Sequence, residues 1–117
     1  SARIKQSLHL LTLSAPLEEL LVRSVHGAAG LIVDEGLTRQ ILTQLNAAEE
    51  AVVAKGSQPI VVVSAQMRRP FAAFLRAHGV SAIVMAVSEL PDNRKVEIAA
   101  SIGAQQPPVS EPKGPST

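Results

Sequence analysis

Apolar positions along the chain switch between the two-residue period of strands and the helical period, and the switches mark the elements. Leu8 to Ser14 reads Leu-His-Leu-Leu-Thr-Leu-Ser, with Leu8, Leu10 and Thr12 on one face and His9, Leu11 and Leu13 on the other. Apolar residues on both faces predict a largely buried strand. Pro16, Glu18 and Glu19 suit a helix N-terminus, the stripe Leu17, Leu20, Leu21 and Val25 continues it, and Gly27 offers a stop. Residues 28–35 read as a connector in which Asp34 is placed to cap the next helix. Leu37, Ile41, Leu45, Ala48 and Val52 then recur at steps of three and four up to Gly56, the longest helical pattern in the chain.

A turn at 56–59 leads into Ile60 to Val63, four β-branched residues that predict a central strand buried on both faces. Ser64 is placed to cap a helix carrying Met67, Phe71, Phe74 and Leu75 and ending at Gly79. Pro70 leaves two readings: a start near Arg69, or a first turn kinked at the proline. Val80 to Val87 predicts a third strand centred on Ile83 to Val87. After the Pro91-Asp92-Asn93 turn, Lys95 to Ile102 alternates like an edge strand, with Val96 and Ile98 opposite Lys95 and Glu97. Residues 104–117 hold four of the eight prolines and one large apolar residue, Val109. They read as a disordered Pro-rich tail. The order β-α-α-β-α-β-β predicts one small two-layer α/β domain over 1–103, a mixed sheet of about four strands with three helices.

Composition narrows the function. At 117 residues the chain holds one domain, and 46% hydrophobic residues suffice for a core. Aromatic residues make up only 2%, namely Phe71 and Phe74, so the core is aliphatic and base-stacking nucleic-acid modules are disfavoured. A net charge of +1 is far from a phosphate-binding balance. With no Cys there is no disulfide, thiolate metal site or Cys nucleophile. No apolar run approaches the ~20 residues of a membrane span, and no signal peptide is evident. The chain starts at Ser1 rather than Met, so a piece of a longer protein is expected.

Candidate chemistry is sparse. His9, His26 and His78 form no helical pair with another metal ligand, and surface or structural roles are expected. Ser64 follows a strand and precedes a helix, where a nucleophile elbow would stand. Its neighbours Val63 and Ala65 lack the glycines of that turn, however, and the cap explains it. His78 lies fourteen residues on, roughly 20 Å along the same helix. The carboxylate neighbours Asp34-Glu35 and Glu49-Glu50 do not converge on one substrate and read as solvated. No Gly-rich phosphate loop is present. No cofactor or metal is expected. Arg68, Arg69 and Arg76 on one helix, with Arg94 and Lys95 after the Pro91 turn, are either a scattered solvated face or a basic surface for a protein partner.

Longer motifs carry more. Pro59 to Arg76 runs strand, Ser, Arg-Pro and an amphipathic Leu/Arg helix. Ile83 to Val96 runs strand, a turn with Ser88, Glu89, Leu90 and Pro91, and a last strand. Leu10 to Glu18 is a leucine-rich strand followed by a leucine and glutamate helix. Together these resemble the FlhA family of flagellar export-gate proteins and its virulence-type secretion relatives, over about Leu8 to Gly103. Asp92-Asn93-Arg94 and the Ala-Ser-Ile-Gly ending at 100–103 look flagellar. The resemblance departs at Gly79-Val80, where relatives carry a run of charged residues or proline.

The resemblance implies a non-catalytic docking and gating subdomain, the last cytoplasmic one of an inner-membrane protein whose membrane half lies elsewhere. It implies as partners the other subdomains, neighbouring ring subunits, chaperone–substrate complexes and the stalk component of the export ATPase. The partner surface is then expected to include Arg68, Arg69, Arg76, Asp92, Arg94 and Lys95. An injectisome gate subdomain, a generic ligand-binding α/β domain and a Ser64 hydrolase are the competing readings.

Overall fold

A computed structural model describes residues 7–103; the expected Pro-rich tail at 104–117 lies outside them. Four strands and three helices follow in the expected order: β1 (Leu8–Leu13), α1 (Ala15–Val22), α2 (Glu35–Ala54), β2 (Pro59–Val63), α3 (Ala65–Ala77), β3 (Ile83–Ala86) and β4 (Val96–Ile102). The sheet order is β3-β2-β1-β4.

The α/β class and the element order match expectation, but the sheet is parallel throughout rather than mixed. The reason is the route of the last connection. Residues 87–95 do not fold back as a hairpin beside β3. They cross the sheet and deliver β4 to the far side of β1, where Leu8 N–H bonds to Lys95 O at 2.8 Å. Handedness explains the layers. The β1–β2 and β2–β3 steps go the same way across the sheet, so right-handed crossovers put all three helices on one face. The β3–β4 step goes back, so its connection must cover the other face. Packing agrees. Leu11, Leu13, Val61, Val63 and Ile102 bury against Leu17 and Leu21 of α1, Ile41 and Leu45 of α2, and Met67, Phe71 and Leu75 of α3. On the other face Leu10, Ile60 and Val62 form a small cluster with Leu90 of the crossing segment. Every residue of β2 is buried, as its β-branched run predicts.

Local chemistry sets the ends. Asp34 caps α2 as expected, accepting from Leu37 N–H at 3.1 Å. Helix α1 stops at Val22, before Gly27. Its end turns aside because Val25 pairs with Leu31 in an isolated antiparallel bridge, and β-branched Val25 favours that extended path. The connector at 28–35 therefore contains part of a bridge and a short 3-10 turn, Gly27–Ala29. Helix α3 starts at Ala65 and keeps Pro70 inside it. The third strand ends at Ala86, and Val87 opens a 3-10 turn, Val87–Glu89.

Candidate docking surfaces at the carboxyl end of the sheet

Ser14, Ser64, Val87 and Gly103 follow the four strands, so one end of a parallel sheet gathers four chain exits. The N-termini of α1 and α3 start there too. Ser14 Oγ accepts from Leu17 N–H at 3.3 Å and caps α1. Ser64 occupies the cap position of α3, but its hydroxyl caps nothing: Oγ is buried without a partner. Instead Ser64 donates its backbone N–H to Glu18 Oε2 of α1 at 2.7 Å. Glu18 thus serves the cap residue's own N–H, while the side-chain cap expected of Ser64 does not form.

Two concavities flank this end. The larger, about 710 Å³, lies between α1 and α2 beside the end of β4. Its walls are Pro16, Leu17, Leu20, Leu37, Ile41 and Ile102, with Gln40 and Gln44 at the rim and Gly103 on the floor. Gly103 donates its N–H to Gln44 Oε1 at 2.7 Å. Its φ is +87°, and a Cβ there would stand 2.7 Å from Leu17 Cδ2. Such a groove can accept apolar side chains; its polar lining side chains are Gln40, Gln44 and Ser14, whose hydroxyl is engaged in capping α1. Sequence reasoning missed it because it forms only where β4 lies beside β1, a long-range pairing with no local signal.

The second concavity, about 480 Å³, is lined by Arg68, Arg69 and Pro70 of α3 with Ala86, Ser88 and Glu89 of the turn after β3. Arg68 Nε bonds Glu89 Oε1 at 2.8 Å, and Ala86 N–H bonds the same oxygen at 2.8 Å. The Ala86 N–H first and the Arg68 guanidinium second hold the Glu89 carboxyl below the usual carboxylate range. Arg68 is thereby engaged internally. Arg69 and Arg76 stay exposed on α3, while Asp92 and Lys95 are exposed and Arg94 is half-buried in the segment that leads to β4. The six residues therefore do not form one patch. The arginines of α3 lie on the β3 side, and 92–95 lie across the sheet at the amino end of β4.

The histidines are dispersed. His9 Nε2 lies 3.2 Å from Glu97 Oε1 on the neighbouring strand. His78 ends α3, its Nδ1 2.9 Å from Phe74 O and its ring 4.7 Å from the Phe74 ring. His26 is exposed before the 3-10 turn. Partial burial pushes the Glu49 carboxyl upward, while Glu50 beside it is exposed. Among the described residues no group of three or more His, Cys, Asp and Glu side chains is placed to hold a metal ion. Among them, too, no helix is long and apolar enough to cross a membrane.

The FHIPEP family model matches residues 1–95. The chain belongs to the FHIPEP family. It is 32% identical over 101 residues to the flagellar biosynthesis protein FlhA of Escherichia coli strain K12, a match covering 86% of this chain and 14% of that protein. The flagellar biosynthesis protein FlhA of Salmonella typhimurium is 29% identical over 100 residues, again covering 86% and 14%. The chain thus spans about a seventh of the curated relatives it matches. Among solved structures, the Shigella flexneri MxiA protein superimposes with a TM-score of 0.70 at 14% identity, covering 82% of this chain and 32% of that one. Nonameric SctV-C of EPEC superimposes with a TM-score of 0.64 at 16% identity, covering 83% and 29%. At these identities the structures share the fold. The resemblance to the FlhA family read from the motifs is confirmed.

Proposed function

We propose that this FHIPEP chain is the last cytoplasmic subdomain of a flagellar type III protein export gate, at the cytoplasmic side of the inner membrane, and that it works by docking rather than bond chemistry. The observation that carries the reading is the family match over residues 1–95. Relatives named as flagellar biosynthesis proteins favour the flagellar form over the injectisome form.

Its partners are the other subdomains and neighbouring subunits, chaperone–substrate complexes and the ATPase stalk component. Subunit contacts are supported by the nonameric state of the SctV-C relative. Docking is supported by the apolar groove between α1 and α2, which presents side chains suited to a helix face. Arg69 and Arg76 add exposed positive charge on α3, where rim charges speed association with acidic partners. A Ser64 hydrolase finds no support: Glu18 bonds the Ser64 backbone N–H and not its hydroxyl, and His78 stands at the opposite end of α3.

The test is motility and secretion by cells whose gate protein carries Arg69→Glu and Arg76→Glu. Impaired export at normal protein levels supports the reading. Normal export removes this surface from it. A hydrolase activity abolished by Ser64→Ala would overturn the non-catalytic reading.

A further inference from the structure

The sheet ends at β3 on one side and at β4 on the other, and only β3 is blunted by shortness, with four residues against seven. Leu8 N–H bonds Lys95 O at 2.8 Å, and Leu8 and Leu10 pair with Val96 and Ile98. In a parallel ladder alternate residues turn their backbone groups to the neighbour. Glu97 therefore turns its N–H and C=O to β1, while Val96 and Ile98 turn theirs outward. Among the described residues no strand lies beyond β4 to receive them. The same two residues carry exposed β-branched side chains, Val96 at 49% and Ile98 at 64%. Between them Glu97 points to the other side of the sheet. Its side chain is 61% exposed although Oε1 lies 3.2 Å from His9 Nε2. Lys95, on the same side as Glu97, is exposed as well. This open stretch stops at Ala99, where the register with β1 shifts.

We propose that the edge of β4 at 95–98 binds an extended segment of a partner polypeptide by strand addition. Three observations choose that occupant. Val96 and Ile98 each hold out one backbone donor and one acceptor, which an extended chain satisfies and a helix, bonded within itself, does not. Charge then sets the partner's pattern. An added antiparallel strand fits with a basic residue opposite Glu97, an acidic one opposite Lys95, and β-branched residues beside Val96 and Ile98. Read toward its C-terminus, that pattern is valine–lysine–valine–glutamate. Length excludes a folded occupant. A second copy of this chain offers Lys95, Val96 and Glu97 in the matching order, but two folded bodies need roughly 20–30 residues a side to stay together, far more than this stretch provides. Such binding needs nothing from the rest of an export gate, so its test is independent of that reading.

The probe is a short peptide, blocked at both ends, with the core valine–lysine–valine–glutamate. At millimolar peptide, amide exchange at Val96 and Ile98 in the full chain, read by NMR, is expected to slow roughly tenfold. The Ile83 and Val84 amides, on the opposite edge strand, are expected to stay unchanged. The same peptide N-methylated at the residues that turn to β4 should leave all rates alone. Ile98→Pro removes an outward N–H and no ladder bond, so the chain should keep its fold and lose the protection at Val96. Glu97→Lys, a second variant at an exposed side chain, should reverse the preference, so that a peptide with glutamate in place of lysine protects better. An unaltered preference contradicts the proposal. No slowing with the peptide, or equal slowing with its N-methylated form, overturns it. Protection of Val96 and Ile98 in the chain alone overturns it too: independent of concentration, it assigns the edge to another part of this chain, and rising with concentration, to a second copy.

Discussion

Arg68 donates from Nε to Glu89 Oε1 at 2.8 Å, and this pair ties the N-terminal half of α3 to the segment that crosses the sheet. Glu89 also takes the Ala86 N–H, so one carboxylate oxygen fixes both the end of β3 and the start of the crossing. The crossing in turn carries Leu90 over Leu10, Ile60 and Val62.

Because these bonds lower the Glu89 pKa in the folded state, their stabilisation is complete above the unfolded-state value and is lost as pH falls through the folded one. Glu89→Gln should lower the melting temperature slightly at neutral pH, the side chain being 43% exposed. The gap between wild type and variant should close below about pH 4. Melting curves from neutral pH to about pH 3 check this. A gap that widened on acidification would show that the carboxylate is not the stabilising form.

The central strand has two faces of unequal depth. Val61 is fully buried against the helices, whereas Val62 lies under Leu90 on the thinly covered side. Val61→Asp should abolish folding, at a cost above about 4 kcal/mol. Val62→Asp should cost several kcal/mol yet less than Val61→Asp, because water reaches its surroundings more easily. Circular dichroism and denaturant titration measure the order.

Gly103 stands where β4 meets α1, and its constraint is steric. A Cβ would approach Leu17 Cβ at 3.0 Å and Ser14 Oγ at 3.1 Å, at a φ of +87°. Gly103→Ala should destabilise by about 1–3 kcal/mol and distort the groove. A chemical denaturation midpoint equal to wild type would show that the floor gives way freely.

What could be read from the sequence divides along the range of the interactions. Helix α2 was legible because Asp34, the apolar stripe from Leu37 to Val52, and Gly56 are all local signals. Strand β2 was legible from Ile60 to Val63 alone. The early stop of α1 was not, because the Val25–Leu31 bridge competes with the helix from six residues away. Nor was the all-parallel sheet, which depends on β4 pairing with β1 across the length of the chain. At the candidate site, the basic character of α3 was readable from Arg68, Arg69 and Arg76. The capture of Arg68 by Glu89 and the distance of α3 from Lys95 follow from the crossing segment, which leaves no periodic trace.

Arg69 and Arg76 are exposed, and charge reversal there should leave stability within about 1 kcal/mol. Binding to an acidic export partner should weaken chiefly through slower association, and the salt dependence of the rate should flatten. Stopped-flow association at several ionic strengths distinguishes this from a loss of fold, which melting curves would report.

The most direct measurement is secretion of flagellar substrates by cells whose gate protein lacks residues 7–103 in frame, with the protein present in the membrane at normal level. A docking and gating role for this FHIPEP subdomain predicts that export falls to background and that the intact sequence restores it. Secretion at the wild-type rate without these residues would contradict the role.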